Sequence, residues 1–197
     1  ARVIKKLIVR YLRRIVHEKE LNAGLERLHD TKDLDFIAGA LRELAVDTRI
    51  RNRDKLPDDS RIIVVSNHPL GGLDGIALID LIGRYYGNVL IPVNDLLMNL
   101  PNIESLFVPI NKHGSNREYL PLIEEAFAGE SPLLHFPAGL CSRKRGGKIR
   151  DLSWQKSFIV RARRYRRDIL PVHFAGRNSA FFYGLANLRR RLGIKAN

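Results

Sequence analysis

The sequence predicts an α/β fold, a largely parallel sheet flanked by helices and preceded by an N-terminal helical hairpin. Three observations predict it. From Arg61 onward, short β-branched runs alternate with stretches of helical period, the pattern of strand–helix–strand units. The runs are continuous rather than alternating, as in strands buried on both faces. Residues 1–56, by contrast, repeat their apolar positions every three or four residues, as helices do.

In chain order, Val3, Ile4, Leu7, Ile8, Tyr11, Leu12 and Ile15 form one face of a first helix. Leu21, Leu25 and Leu28, then Leu34, Ile37, Leu41 and Leu44, continue the helical reading. Strands are expected at 62–65, 89–93, 106–110, 133–136 and 169–174, with helices between them at about 73–86, 115–128 and 153–166 and a last one at about 180–192. The economical division is 1–56, amphipathic helices, packed on 57–197, the α/β unit. With 197 residues, 45% of them apolar, the chain can fill one core and does not read as disordered. Cys141 is the only cysteine, which excludes a disulfide scaffold. No stretch approaches the 18–20 apolar residues of a spanning helix, and none reads as a secretory leader.

Charge is concentrated. The formal balance is +13, yet residues 1–14 hold six Lys or Arg and no acid, and residues 143–167 hold eleven against Asp151 alone. Two such blocks point to an anionic partner: lipid headgroups, an acidic carrier protein or nucleic acid. In the first block the cations flank the apolar stripe, an arrangement that suits a helix lying in a membrane interface as well as one packed on a core. In the second, Trp154, Phe158 and Tyr165 interleave with Arg, which would suit a nucleic acid; their helical spacing favours a core face, so no nucleic-acid partner is expected.

The first strand runs into Ser66-Asn67-His68-Pro69-Leu70-Gly71-Gly72-Leu73-Asp74-Gly75, a loop at a strand's carboxyl end, where ligands meet α/β sheets. Gly71-Gly72 lets the chain fold back so that Asp74 can approach His68. An Asp on one imidazole nitrogen fixes the tautomer and supports the charge formed when the other takes a proton, which makes a general base for a hydroxyl or amine. On its own, a loop His beside an Asp is more often structural. The second segment, His135-Phe136-Pro137-Ala138-Gly139-Leu140-Cys141-Ser142-Arg143, can offer backbone N–H groups and cations to a phosphate, or be a plain basic loop. Cys141 could act as a thiol nucleophile but has no evident His partner. His135 and His173 read as core or rim residues, His113 as a loop residue, and no cluster has metal-ligand spacing.

Together these segments resemble the glycerolipid acyltransferase family, which includes lysophosphatidate acyltransferases. Asn67, His68 and Asp74 match its first block, Phe136-Pro137-Ala138-Gly139-Leu140-Cys141-Ser142 its third, and Ile169-Leu170-Pro171-Val172 its proline-centred fourth. The second block falls near Leu106–Lys112. The likeness spans roughly residues 60–175. It implies a glycerolipid acyltransferase-like fold and an acyl thioester, on acyl carrier protein or coenzyme A, as co-substrate with no other cofactor. It further implies a lysolipid hydroxyl as acceptor, and a peripheral place on the cytoplasmic side of the membrane. His68 and Asp74 would be catalytic, and Asn67, Lys112, Gly139, Ser142, Arg143 and Lys144 would bind substrate. The sequence departs from the pattern in four places: five residues rather than four separate His68 from Asp74, the third-block Glu is Ala138, its Arg is Cys141, and the second-block Arg has no clear counterpart, though Lys112 could supply the charge. The Phe-Pro-Ala-Gly variant is similar to the haemolysin-labelled branch, which is linked to lyso-aminolipids rather than to glycerol phosphate. A thioester or lipid-ester hydrolase would use the same His–Asp pair, with water in place of the acceptor.

Overall fold

The computed structural model describes residues 2–93, 97–110 and 117–193. Helices α1 (Arg2–Ile15), α2 (Glu18–Arg27) and α3 (Asp33–Glu43) lead into β1 (Ile62–Ser66) and α4 (Gly72–Tyr86). Then follow β2 (Ile91–Val93), β3 (Phe107–Pro109), α5 (Leu120–Ala128), β4 (Leu133–His135), a hairpin of β5 (Arg143–Arg145) and β6 (Lys148–Arg150), α6 (Ser157–Tyr165), β7 (Asp168–Val172) and α7 (Ala180–Arg191).

The sheet is parallel, as expected. β1 pairs with β4 on one side and β7 on the other, β2 pairs with β3, and a bridge from Leu90 to Leu133 brings that pair alongside β4. β1 is buried along its whole length, so its two polypeptide faces carry the two cores. Ile62 and Val64 pack with Phe36 and Ile37 of α3 and Leu78 and Ile82 of α4. Ile63 and Val65 pack with Ile123 and Phe127 of α5 and Phe158 of α6. This is the reason a continuous Ile-Ile-Val-Val run was needed: neither face of the strand meets water.

Three expectations need correction. The helical reading of residues 1–56 overruns: α3 ends at Glu43, and the residues up to β1 are irregular apart from one short turn at Arg53–Lys55. β7 is not buried on both faces but lies at the sheet's edge with Ile169 and Pro171 exposed, a place where proline's missing N–H is tolerated. The basic stretch 143–150 is a β-hairpin rather than a loop. Gly146 and Gly147 both take positive φ, +54° and +77°, which suits a two-residue turn of the primed type. Its strands are Arg- and Lys-rich and mostly exposed, so no apolar period marks them in the sequence.

Not all of the second basic block is surface charge. Arg167, directly before β7, is buried and donates to the carbonyls of Phe127 (2.7 Å), Ser131 (2.8 Å), Ala126 (3.2 Å) and Gly129. Arg61, directly before β1, takes Ala128 and Gly129 carbonyls of the same helix end and that of Tyr165. Two guanidinium groups thus close the carbonyl end of α5, where the helix leaves acceptors unpaired and its dipole favours cations.

His135, at the end of β4, lies against Phe158 with its Nε2 buried and, among the described residues, without a hydrogen-bond partner. Burial, reinforced by the nearby Arg161, pushes its pKa down to about 4. The fold therefore prefers the neutral ring. Because the unfolded chain takes up the proton near pH 6.5 and the folded one near 4, stability should fall as pH drops through that window, by about 3 kcal/mol in all. Urea unfolding between pH 7.5 and 4.5 should show this slope in the wild type and a shallower one in His135→Phe.

Candidate active site

The carboxyl ends of β1, β4 and β7 point the same way, so their exits meet. His68 follows β1, Phe136 follows β4 and Phe174 follows β7. Asn67 clamps the last of these: its Nδ2 donates to the Phe174 carbonyl at 2.9 Å, and its Oδ1 accepts from the Phe174 N–H at 2.7 Å. The His68 ring lies over Phe136 with centroids 4.2 Å apart. These contacts fix the loop between strand and helix from both sides.

Asp74 is the third residue of α4 and is wholly buried. Its Oδ2 accepts from the N–H groups of Leu70 (2.7 Å) and Gly71 (3.0 Å), so the carboxylate caps the helix start from within. The same oxygen lies 3.2 Å from His68 Nδ1, close but off the line of a good hydrogen bond. Oδ1 has no hydrogen-bond partner among the described residues. The His68 side chain keeps 18% exposure, and with Nδ1 facing Asp74, Nε2 is the nitrogen left for a substrate.

Between His68 and Asp74 the chain turns at Gly71, whose φ of +77° and ψ of −127° lie where only glycine is comfortable. A Cβ there would also stand 2.9 Å from the Cys141 sulfur. Gly71→Ala should therefore displace the Asp74 end of the loop; we expect at least a tenfold loss of activity together with a lower melting temperature, measured on the same preparation.

The third-block loop packs directly beneath. The Ser142 N–H donates to the His68 carbonyl at 2.8 Å, and its hydroxyl donates to Asp151. Gly139 turns the chain with φ +64°, its N–H on the Phe136 carbonyl at 2.9 Å. Arg143 folds back, donating to the Cys141 carbonyl at 2.7 Å while its guanidinium lies over the Phe182 ring. Lys144 is exposed on the hairpin. Lys112 and His113 lie outside the described residues. Cys141 is half-buried near the pair, and burial pushes its thiol up, away from the nucleophilic thiolate, even with Arg143 pulling the other way. Of the aromatics interleaved with Arg, Phe158 is buried and the Tyr165 hydroxyl is bound to Glu124, leaving Trp154 as the exposed ring. A cleft of about 960 Å³ between the start of α3 and the end of α4 lies at the far end of that helix from Asp74 and takes no part in the site.

Sequence reasoning missed one residue that the structure brings to the centre, Asp151. Its Oδ1 accepts from the His68 N–H at 3.2 Å and from Ser142, and its Oδ2 from Trp154 Nε1 at 3.0 Å. The available signal was its isolation as the single acid among eleven cations.

Comparison with known proteins decides the family. The model of a family described as acyltransferase matches residues 1–197. The chain belongs to this acyltransferase family. Two relatives carry the name lyso-glycine lipid O-acyltransferase. The one from Phocaeicola vulgatus is 45% identical over 196 residues, covering 98% of this chain and 70% of the relative. The one from Bacteroides thetaiotaomicron is 46% identical over 196 residues, covering 98% and 72%. The acyltransferase is thus an enzyme, an O-acyltransferase, and it groups with the lyso-aminolipid branch that its Phe-Pro-Ala-Gly block resembles.

Proposed function

We propose that the enzyme transfers a fatty acyl group from an acyl thioester to the hydroxyl of a lyso-aminolipid, a lyso-glycine lipid above all, with His68 as general base. The observation that carries the mechanism is the His68–Asp74 approach of 3.2 Å at the convergent strand ends, with the carboxylate wholly buried. His68 Nε2 takes the proton of the acceptor hydroxyl as its oxygen attacks the thioester carbonyl. The tetrahedral intermediate collapses, the C–S bond breaks, and His68 returns the proton to the departing thiolate. The products are an ester and a free thiol, with no acyl-enzyme. Asp74 is a wholly buried carboxyl group whose Oδ1 has no hydrogen-bond partner among the described residues, so an imidazolium beside it is favoured while the proton is in transit. The names of the two relatives support the acceptor class.

The donor is an acyl carrier protein or coenzyme A thioester. Both are anionic, and Lys144, Arg145, Lys148 and Arg150 of the hairpin extend from the Ser142 loop beside His68. The thioester is already activated, so the reaction needs no cofactor.

The acceptor is a membrane lipid, and we place the enzyme peripherally on the cytoplasmic side of the membrane, against anionic lipid. Among the described residues no helix is long and apolar enough to cross a bilayer. On α1 and just after it, Val9, Tyr11, Leu12 and Val16 are exposed among Arg10, Arg13 and Arg14. On α7 and at its C-cap, Phe181, Leu185, Leu188 and Leu192 are exposed along one stripe, with Arg189 and Arg191 about 80° to either side at 100° per residue. The α7 stripe rimmed by Arg suits the headgroup boundary, where the side chains bury their stems and keep their charges wet. Transfer from thioesters to a panel of lysolipids tests the reading. A lyso-glycine lipid should be acylated faster than lysophosphatidate. Thioester hydrolysis that no lysolipid diverts into ester would overturn the proposal in favour of a hydrolase.

A further inference from the structure

We infer that Asp151 is a positioning residue for the general base, holding the His68 main chain while Asp74 addresses the ring. The inference rests on the proposed role of His68.

An imidazole has two side-chain torsions, and a partner at Nδ1 restrains only its far end. The position of the Cα must come from elsewhere. Here both peptide groups of His68 are tied, the N–H to Asp151 Oδ1 at 3.2 Å and the carbonyl to the Ser142 N–H at 2.8 Å. The Ser142 hydroxyl returns to the same Asp151 oxygen. A carboxylate accepts and does not donate, and all three groups that reach Asp151 are donors, so the set is matched. Trp154 supplies the third, at 3.0 Å on Oδ2, and its ring lies edge-on to Phe158, which is buried in the core. A chain of contacts therefore runs from the core through Trp154 and Asp151 to the backbone of the base. Asp151 directly follows β6, so the basic hairpin is what returns this acid to the site.

Displacements of about 1 Å at a reacting group can cost on the order of a hundredfold in rate. Asp151→Asn tests this sharply. The amide keeps an oxygen for His68 and Ser142 but turns an NH₂ toward the indole N–H, donor against donor. The expected result is a fall in kcat of about tenfold to a hundredfold with KM for the lyso-glycine lipid unchanged. In Asp151→Asn/Trp154→Phe the opposing donor is gone, and kcat should recover at least threefold over Asp151→Asn. A lost charge or a generally loosened fold would give no such recovery. An Asp151→Asn enzyme with wild-type kcat overturns the inference. So does a double variant no better than the single one. His68→Ala is run beside them: if it abolishes transfer while Asp151→Asn is normal, the positioning role alone fails, and if it leaves transfer intact, the general-base reading fails as well.

Discussion

His68→Ala should lower kcat for acyl transfer by about 10²–10⁴-fold, the usual contribution of a positioned general base, while the protein remains folded. The side chain is partly exposed, and its removal leaves the two hydrogen bonds of the His68 backbone and the cap that Asp74 makes on α4 in place. A melting temperature close to wild type is therefore part of the expectation. Asp74→Asn should behave differently. The amide oxygen can take the place of Oδ2 and still accept from both Leu70 and Gly71, but this puts an NH₂ at the buried position of Oδ1, where no described group accepts from it. Loss of activity and loss of stability should arrive together. Steady-state kinetics on purified variants, with circular dichroism melts on the same samples, separates the two cases. Transfer by His68→Ala within a few-fold of wild type would leave the His–Asp pair a structural cap.

Arg167→Ala should be among the most destabilising single changes in the molecule, by about 3–5 kcal/mol. The guanidinium is 4% exposed, and its loss would leave carbonyls of Ala126, Phe127 and Ser131 without their donor in a closed space, with Arg61 alone left on Gly129. For a chain of 197 residues that corresponds to a fall in melting temperature of roughly 6–20 °C. Arg167→Lys should recover little, because one ammonium cannot reach carbonyls spread over Ala126 to Ser131. Urea unfolding measures this directly, and a change under 1 kcal/mol would mean that water replaces the guanidinium. Arg61 and Arg167 stand before the first residues of β1 and β7, whereas His68 follows the last of β1. Stability and the proposed chemistry thus occupy opposite ends of the same strands, and an Arg167 variant that is still folded at assay temperature should keep its kcat.

Periodicity and residue type made the layers legible. Ile62 to Val65 could be read as a strand buried on both sides because four β-branched residues in a row have no polar face to turn to water. α4, α6 and α7 likewise fall within the predicted stretches, since their apolar positions repeat every three or four residues. His68 and Asp74 were legible because a Gly-Gly turn between a strand and a helix leaves few ways to place them apart.

The order of the elements, the parallel sheet and the approach of His68 and Asp74 at the end of β1 are legible in one dimension, because each depends on spacing along one segment. Which charges face water and which serve the interior depends instead on how the segments pack. Arg167 and Arg166 are neighbours of one type in one basic run, yet the first is buried in a helix end and the second is exposed. Asn67 and Ser142 likewise match the family's blocks, and their polar groups are engaged by Phe174 and Asp151, residues 107 and 9 positions away. The physical reason is that a buried polar group must find a partner wherever the fold brings one, and that partner is chosen by distance in space rather than along the chain.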